Sequence, residues 1–119
     1  MKIVVTGAGG LMGGHMAARV HAANCMAAFK KQTKPYDLVM IDHHGFDDDT
    51  TLANALLDAD AVLHMAGVNR APPAVIEEAN PNIARRLATA CANCGVRPHI
   101  IYANSTHAVS DTPYGRSKK

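Results

Sequence analysis

Lys2–Gly14 reads KIVVTGAGGLMGG, and the interpretation of this stretch decides the fold. KIVVT (Lys2–Thr6) is a β-branched run suited to a strand. Gly7, Gly10 and Gly13 follow at the spacing GxxGxxG. Where a strand turns into a helix over a pyrophosphate, each glycine has a physical reason. The first permits the tight turn, the second lets the backbone approach the phosphates with no Cβ between, and the third lets the helix pack close to the strand. The N–H groups that open the helix, from Leu11 and Met12 onward, then face anionic oxygens. Met12, Met16 and Val20 recur every fourth residue and predict a helix with one buried face. A purely structural glycine turn is the alternative, but the strand before and the helix after argue for nucleotide binding.

Working outward, three more apolar runs appear: Tyr36–Asp42 (YDLVMID), Asp60–Gly67 (DAVLHMAG) and His99–Ala103 (HIIYA). Helical stretches separate them. Thr50 or Thr51 is expected to cap a short helix through Leu56 and Leu57, and Pro81 to open another that Gly95 and Pro98 end. Gly45–Thr51 (GFDDDTT) is expected to be a loop. Strands that are apolar throughout and alternate with helices belong to a parallel sheet covered on both faces. The expected fold is therefore α/β: a Rossmann-type, doubly wound parallel sheet of four strands in the order 2-1-3-4, with helices on both faces.

The totals narrow the function classes. At 119 residues there is room for one domain, and a net charge of +2 is too small and scattered for a nucleic-acid or membrane surface. No apolar run approaches the length of a membrane span, so a cytoplasmic protein is expected. Cys91 and Cys94 form a CxxC, but no second pair completes a four-ligand site, and they sit three apart among the apolar positions of a helix. Among seven histidines the only close pair is His43–His44, whose adjacent side chains do not converge on one ion, so no metal is expected.

Asp42 ends the second strand, where an acidic side chain accepts hydrogen bonds from adenosine ribose hydroxyls and favours NAD over NADP. An exposed strand-end aspartate with no ligand is the bland alternative. His43 and His44 leave NADP open, since a protonated imidazole could meet a 2′-phosphate.

TGxxGxxG at Thr6–Gly13, DAVLHMAG at Asp60–Gly67 and NSTHAVSDTPYGRSK at Asn104–Lys118 together resemble the extended short-chain dehydrogenase/reductases, the NAD-dependent epimerase/dehydratase family. HMAGVNR (His64–Arg70) and the short spacer to PYGRSK are most similar to the capsular-polysaccharide nucleotide-sugar reductases. The resemblance implies that Tyr114 and Lys118, a YxxxK pair one helical turn apart, exchange a proton with a sugar oxygen while hydride moves to or from a nicotinamide. Ser105, with Thr106 as the neighbouring candidate, would bond the same oxygen. Met65, Ala66 and Gly67 match the turn against the adenosine and pyrophosphate, and Asn69 and Asn82 match positions near the nicotinamide ribose. Arg70 could reach an acidic group of the substrate or be a solvated surface arginine, and one of Asp47–Asp49 could accept the adenine amino group, with a hydrated acidic loop as the favoured alternative. The family continues well past its YxxxK helix. Residues 1–119 are thus expected to be the NAD(P)-binding part of a nucleotide-sugar enzyme, with the substrate-binding part absent. A non-catalytic dinucleotide-binding module, or a split or pseudo-enzyme needing a partner chain, is the alternative. The last strand is expected to leave an apolar edge that promotes homo-oligomers. Residues after about Asp111 are expected to be irregular, because a single turn near a chain end is unstable and Gly115 weakens it.

Overall fold

A computed structural model describes residues 1–119. Strands β1 (Lys2–Thr6), β2 (Asp37–Ile41), β3 (Ala61–His64) and β4 (His99–Tyr102) form one sheet in the order β2-β1-β3-β4, with every pairing parallel. This is the expected topology. Register places Val4 between Val39 and Val62, and Val62 beside Ile100. Alternation along β1 divides the core. Val4 points to one face, where Ile41, Phe46, Leu52, Leu56, Val62, Leu87 and Cys91 gather. Ile3 and Val5 point to the other, against Ala17. Val4, Val5 and Val62 lose all exposure, each such burial contributing about 1.5–3 kcal/mol.

Helix α1 (Leu11–Phe29) covers the Ile3–Val5 face. On the opposite face lie α2 (His43–Asp47), α3 (Asp49–Leu56) and α4 (Pro73–Asn93). A 3-10 turn at Thr106–Val109 leads into the single-turn helix α5 (Pro113–Arg116). No helix is long and apolar enough to cross a membrane.

Four local expectations need correction. The face of α1 that meets the sheet carries Gly13 and Ala17, with Met16 and Val20 only partly buried and Met12 exposed. Small residues let the helix sit too close for Met12 to turn inward. Gly45–Thr51 is not a loop but the end of α2 and the start of α3. Two aspartates supply the caps: Asp42 Oδ1 accepts from Gly45 N at 2.9 Å, and Asp48 Oδ1, in place of Thr50 or Thr51, accepts from Thr51 N at 2.7 Å. Pro81 does not open a helix but lies inside α4. The buried stripe Ile76, Asn80, Leu87 and Cys91 runs straight past it, and that burial outweighs the bond lost at an interior proline, a cost of about 3 kcal/mol.

The fourth correction concerns the segment after Asp111, which is regular and anchored. Thr112 Oγ1 accepts from Gly115 N at 3.0 Å, and Arg116 is paired with both Glu77 and Asp111. Gly115 strengthens the turn here. A Cβ on it would lie 2.3 Å from Ser110 O and 2.4 Å from His107 O, so glycine alone permits this packing. Ser117 and Lys118 are buried as a result.

Candidate active site

The turn after β1 and the turn after β3 meet at the carboxyl ends of the strands, the switch point where open α/β sheets hold their ligands. Gly7 adopts φ 69°, and a Cβ there would stand 2.7 Å from Ala66 N, so the β3 turn rests directly on it. Gly13 lies buried beneath the β1 turn, and its Cβ would fall 2.1 Å from Gly7 O. Gly10 differs from both. A Cβ there meets only Gly7 O, at 3.3 Å, and would otherwise project into the cleft.

That cleft has two halves. The first, about 550 Å³, is lined by Gly7, Gly10, Asp42, His43, Met65, Ala66 and Gly67, with Asp47 at its edge. Asp42 is exposed and also caps α2. The Gly45 N–H bond, aided by nearby His44 and His43, holds its carboxyl below the usual carboxylate range. The second half, about 660 Å³, is lined by Leu11, Met12, Asn69, Arg70, Asn104, Ser105, Tyr114 and Lys118. Gly10, Met65, Gly67 and Val68 line both halves, which makes the cleft continuous.

The chain thus brings Ser105, Tyr114 and Lys118 to one end of a cleft whose other end holds Asp42. Lys118 Nζ lies 3.4 Å from both Tyr102 Oη and Ala103 O, and stands 5.1 Å from the Tyr102 ring centre and 5.9 Å from that of Tyr114. Ser105 Oγ accepts from His107 N at 3.2 Å, which fixes the hydroxyl at the head of the 3-10 turn. Thr106, the neighbouring candidate, is exposed and does not line the cleft.

Asn82 also lies away from it. Asn82 Oδ1 accepts from Arg85 on the outer surface of α4, while Asn80, two residues earlier, is 2% exposed and does the positioning. Asn80 Oδ1 accepts from Val68 N at 2.7 Å, and its Nδ2 donates to Val68 O and to Ser117 Oγ, both at 2.9 Å. One side chain therefore clamps the β3 turn to the Tyr114–Lys118 segment. A signal was present in the sequence: Asn80 stands on the apolar stripe of Ile76 and Leu87, where a polar group needs buried partners. His64 was also missed. It is 1% exposed, its Nδ1 bonds Thr6 Oγ1 at 2.7 Å, and its Nε2 has no partner. Burial first, and the Lys118 charge second, push its pKa down to about 4, which keeps the ring neutral beside the lysine.

The model of the NAD dependent epimerase/dehydratase family matches residues 3–119. The chain belongs to that family. Among curated proteins no sequence matches this family member. Solved structures do. The capsular polysaccharide assembling protein CapF from Staphylococcus aureus is 25% identical, with a TM-score of 0.60, over 99% of this chain and 27% of that one. A short-chain dehydrogenase/reductase superfamily protein from Agrobacterium tumefaciens, with bound NAD, is 22% identical with a TM-score of 0.64, over 99% and 42%. UDP-glucuronic acid 4-epimerase from Bacillus cereus, in complex with NAD, is 18% identical with a TM-score of 0.71, over 99% and 49%. This epimerase/dehydratase-family chain therefore spans between about a quarter and a half of these relatives.

Proposed function

We propose that the chain binds NAD along the cleft and serves a nucleotide-sugar epimerase, dehydratase or reductase as its cofactor-binding portion. The observation that carries this reading is the placement of the Gly7–Gly13 cradle, Asp42 and the Ser105–Tyr114–Lys118 group along one continuous cleft. The residues fit a dinucleotide. Gly10 leaves open the space that a Cβ would fill, and Asp42 presents a carboxylate where ribose hydroxyls would donate. When bound, NAD would supply or accept the hydride.

The chain's own residues do the rest. Tyr114 holds the proton that a sugar hydroxyl loses or a carbonyl gains, and Ser105 orients the same oxygen through its hydroxyl. Lys118 sets its positive charge 5.9 Å from the centre of the Tyr114 ring, and Asn80 keeps the segment in place. Acidic lining at the adenosine end supports NAD over NADP, with His43 as the one counterweight.

The exposed faces of β4 support completion by a further portion, in cis or in trans, since Ile100 and Ile101 are 43% and 49% exposed. Reconstitution tests the reading. The chain supplied with the remaining half of a related enzyme should convert a nucleotide sugar in a manner that Tyr114→Phe reduces at least about a hundredfold. Reconstituted turnover indifferent to Tyr114→Phe would refute the assignment.

A further inference from the structure

The cleft changes sign along its length. At the adenosine end its charged lining is Asp42 and Asp47, with His43. At the far end the charged lining residues are Arg70 and Lys118, with no aspartate or glutamate. Lys118 is buried and already directed at Tyr102 Oη and Ala103 O. Arg70 has no such commitment. It lies in the segment between β3 and α4, and all three ion pairs of the chain involve Arg86 or Arg116 instead.

A guanidinium presents a planar fork of donors that matches carboxylate or phosphate oxygens better than water or a neutral hydroxyl does. Its neighbours Asn69, Asn104 and Ser105 add neutral polar groups around the same space. The oxidised nicotinamide ring is itself cationic, so two fixed cations at that end oppose it until an anion is present. On the reading of the cleft given above, we infer that Arg70 binds a fixed anionic group of the substrate. Two sources share that chemistry: a carboxylate on the sugar, and the diphosphate that links sugar to nucleoside. Because Arg70 is exposed, the contact is screened by water and salt, and its effect is modest.

The test is calorimetric titration of the NAD-saturated chain and of its Arg70→Gln variant with UDP-glucuronate, UDP-glucose, glucuronate and glucose, at low and high salt. The ligands that carry the recognised anion should bind the wild type about fivefold more tightly than the variant at low salt, and the gap should close at high salt. Glucose should not distinguish the two proteins. A gap confined to the UDP ligands would assign the diphosphate, and one shared by UDP-glucuronate and glucuronate would assign the carboxylate. Equal affinities of the two NAD-loaded proteins for every anionic ligand would overturn the inference and leave the cofactor reading standing. Failure of the wild type to bind NAD would remove the cofactor reading, and this inference with it.

Discussion

Gly13 and Gly14 are adjacent in α1, and the structure predicts that adding one methyl group to each has opposite effects. A Cβ on Gly13 would lie 2.1 Å from Gly7 O, 2.6 Å from Gly7 C and 3.0 Å from Ala8 Cα. All three are backbone atoms, so the turn that carries Gly7 must move. Overpacking of this kind costs about 3 kcal/mol, at the upper end of the usual range. Replacing a helical glycine by alanine returns about 0.5–1 kcal/mol. The net loss for Gly13→Ala is therefore about 2 kcal/mol, or roughly 8 °C in Tm at about 4 °C per kcal/mol. On Gly14 the Cβ would meet only Ala8 O, at 3.4 Å, an ordinary contact. Gly14→Ala should keep the helix gain alone and raise Tm by about 2–4 °C. Thermal unfolding followed by circular dichroism, with both variants at the same concentration, measures the difference. A Gly13→Ala protein as stable as wild type, or less harmed than Gly14→Ala, would refute the close packing of α1 on the Gly7 turn.

Further outcomes follow from the same geometry. Asp42→Ser keeps a residue able to cap α2 but removes the charge that opposes a 2′-phosphate, so the NAD preference in binding titrations should narrow by about tenfold; a wild-type preference for NADP would show His43 or His44 reading the phosphate. His64 is neutral when folded, with a pKa of about 4 against an ordinary value of 6.5, so the unfolded chain takes up the proton first as pH falls. Stability should be intact above about pH 6.5 and decline by roughly 3 kcal/mol toward pH 4; His64→Gln should flatten that slope in urea melts, and an unchanged slope would count against the buried neutral ring. Asn80→Leu leaves Val68 N and Ser117 Oγ without their partner, so the segment after Asp111 should be cut more readily in limited proteolysis, with a stability loss of about 1–3 kcal/mol. The exposed apolar surface of β4 should make the chain self-associate, and Ile101→Lys should shift it toward monomer in light scattering.

What the sequence disclosed, and what it hid, divides along physical lines. The strand order and the Gly7–Gly13 cradle were legible because each depends on short-range patterns: apolar runs, glycine spacing and the alternation of strand with helix. The ends of α2, α3 and α4 were not, since they turn on which of several aspartates caps a helix and on whether buried contacts override a proline. Ser105, Tyr114 and Lys118 were grouped from their order along the chain, and the structure brings the three to one end of the cleft. Asn80 was passed over for Asn82, although its place on the apolar stripe of Ile76 and Leu87 marked it as the inward-facing one; its partners Val68 and Ser117 are brought to it only by the tertiary fold. The C-terminal turn was misjudged for a similar reason. Local propensity counts Gly115 as a weakness, whereas the packed structure needs it against Ser110 O and His107 O.

That correction leaves the Tyr114–Lys118 segment ordered at the end of the cleft. Dinucleotide binding is then the property these residues should show alone. The most direct measurement is a fluorescence titration of the 119-residue chain with NADH, run beside Gly10→Val, whose side chain would enter the space left for the pyrophosphate while meeting little protein. The account predicts weak, saturable enhancement for the wild type that Gly10→Val abolishes without changing the unfolding free energy by more than about 1 kcal/mol. No saturable binding by the wild type, or equal binding by a folded Gly10→Val protein, would contradict it.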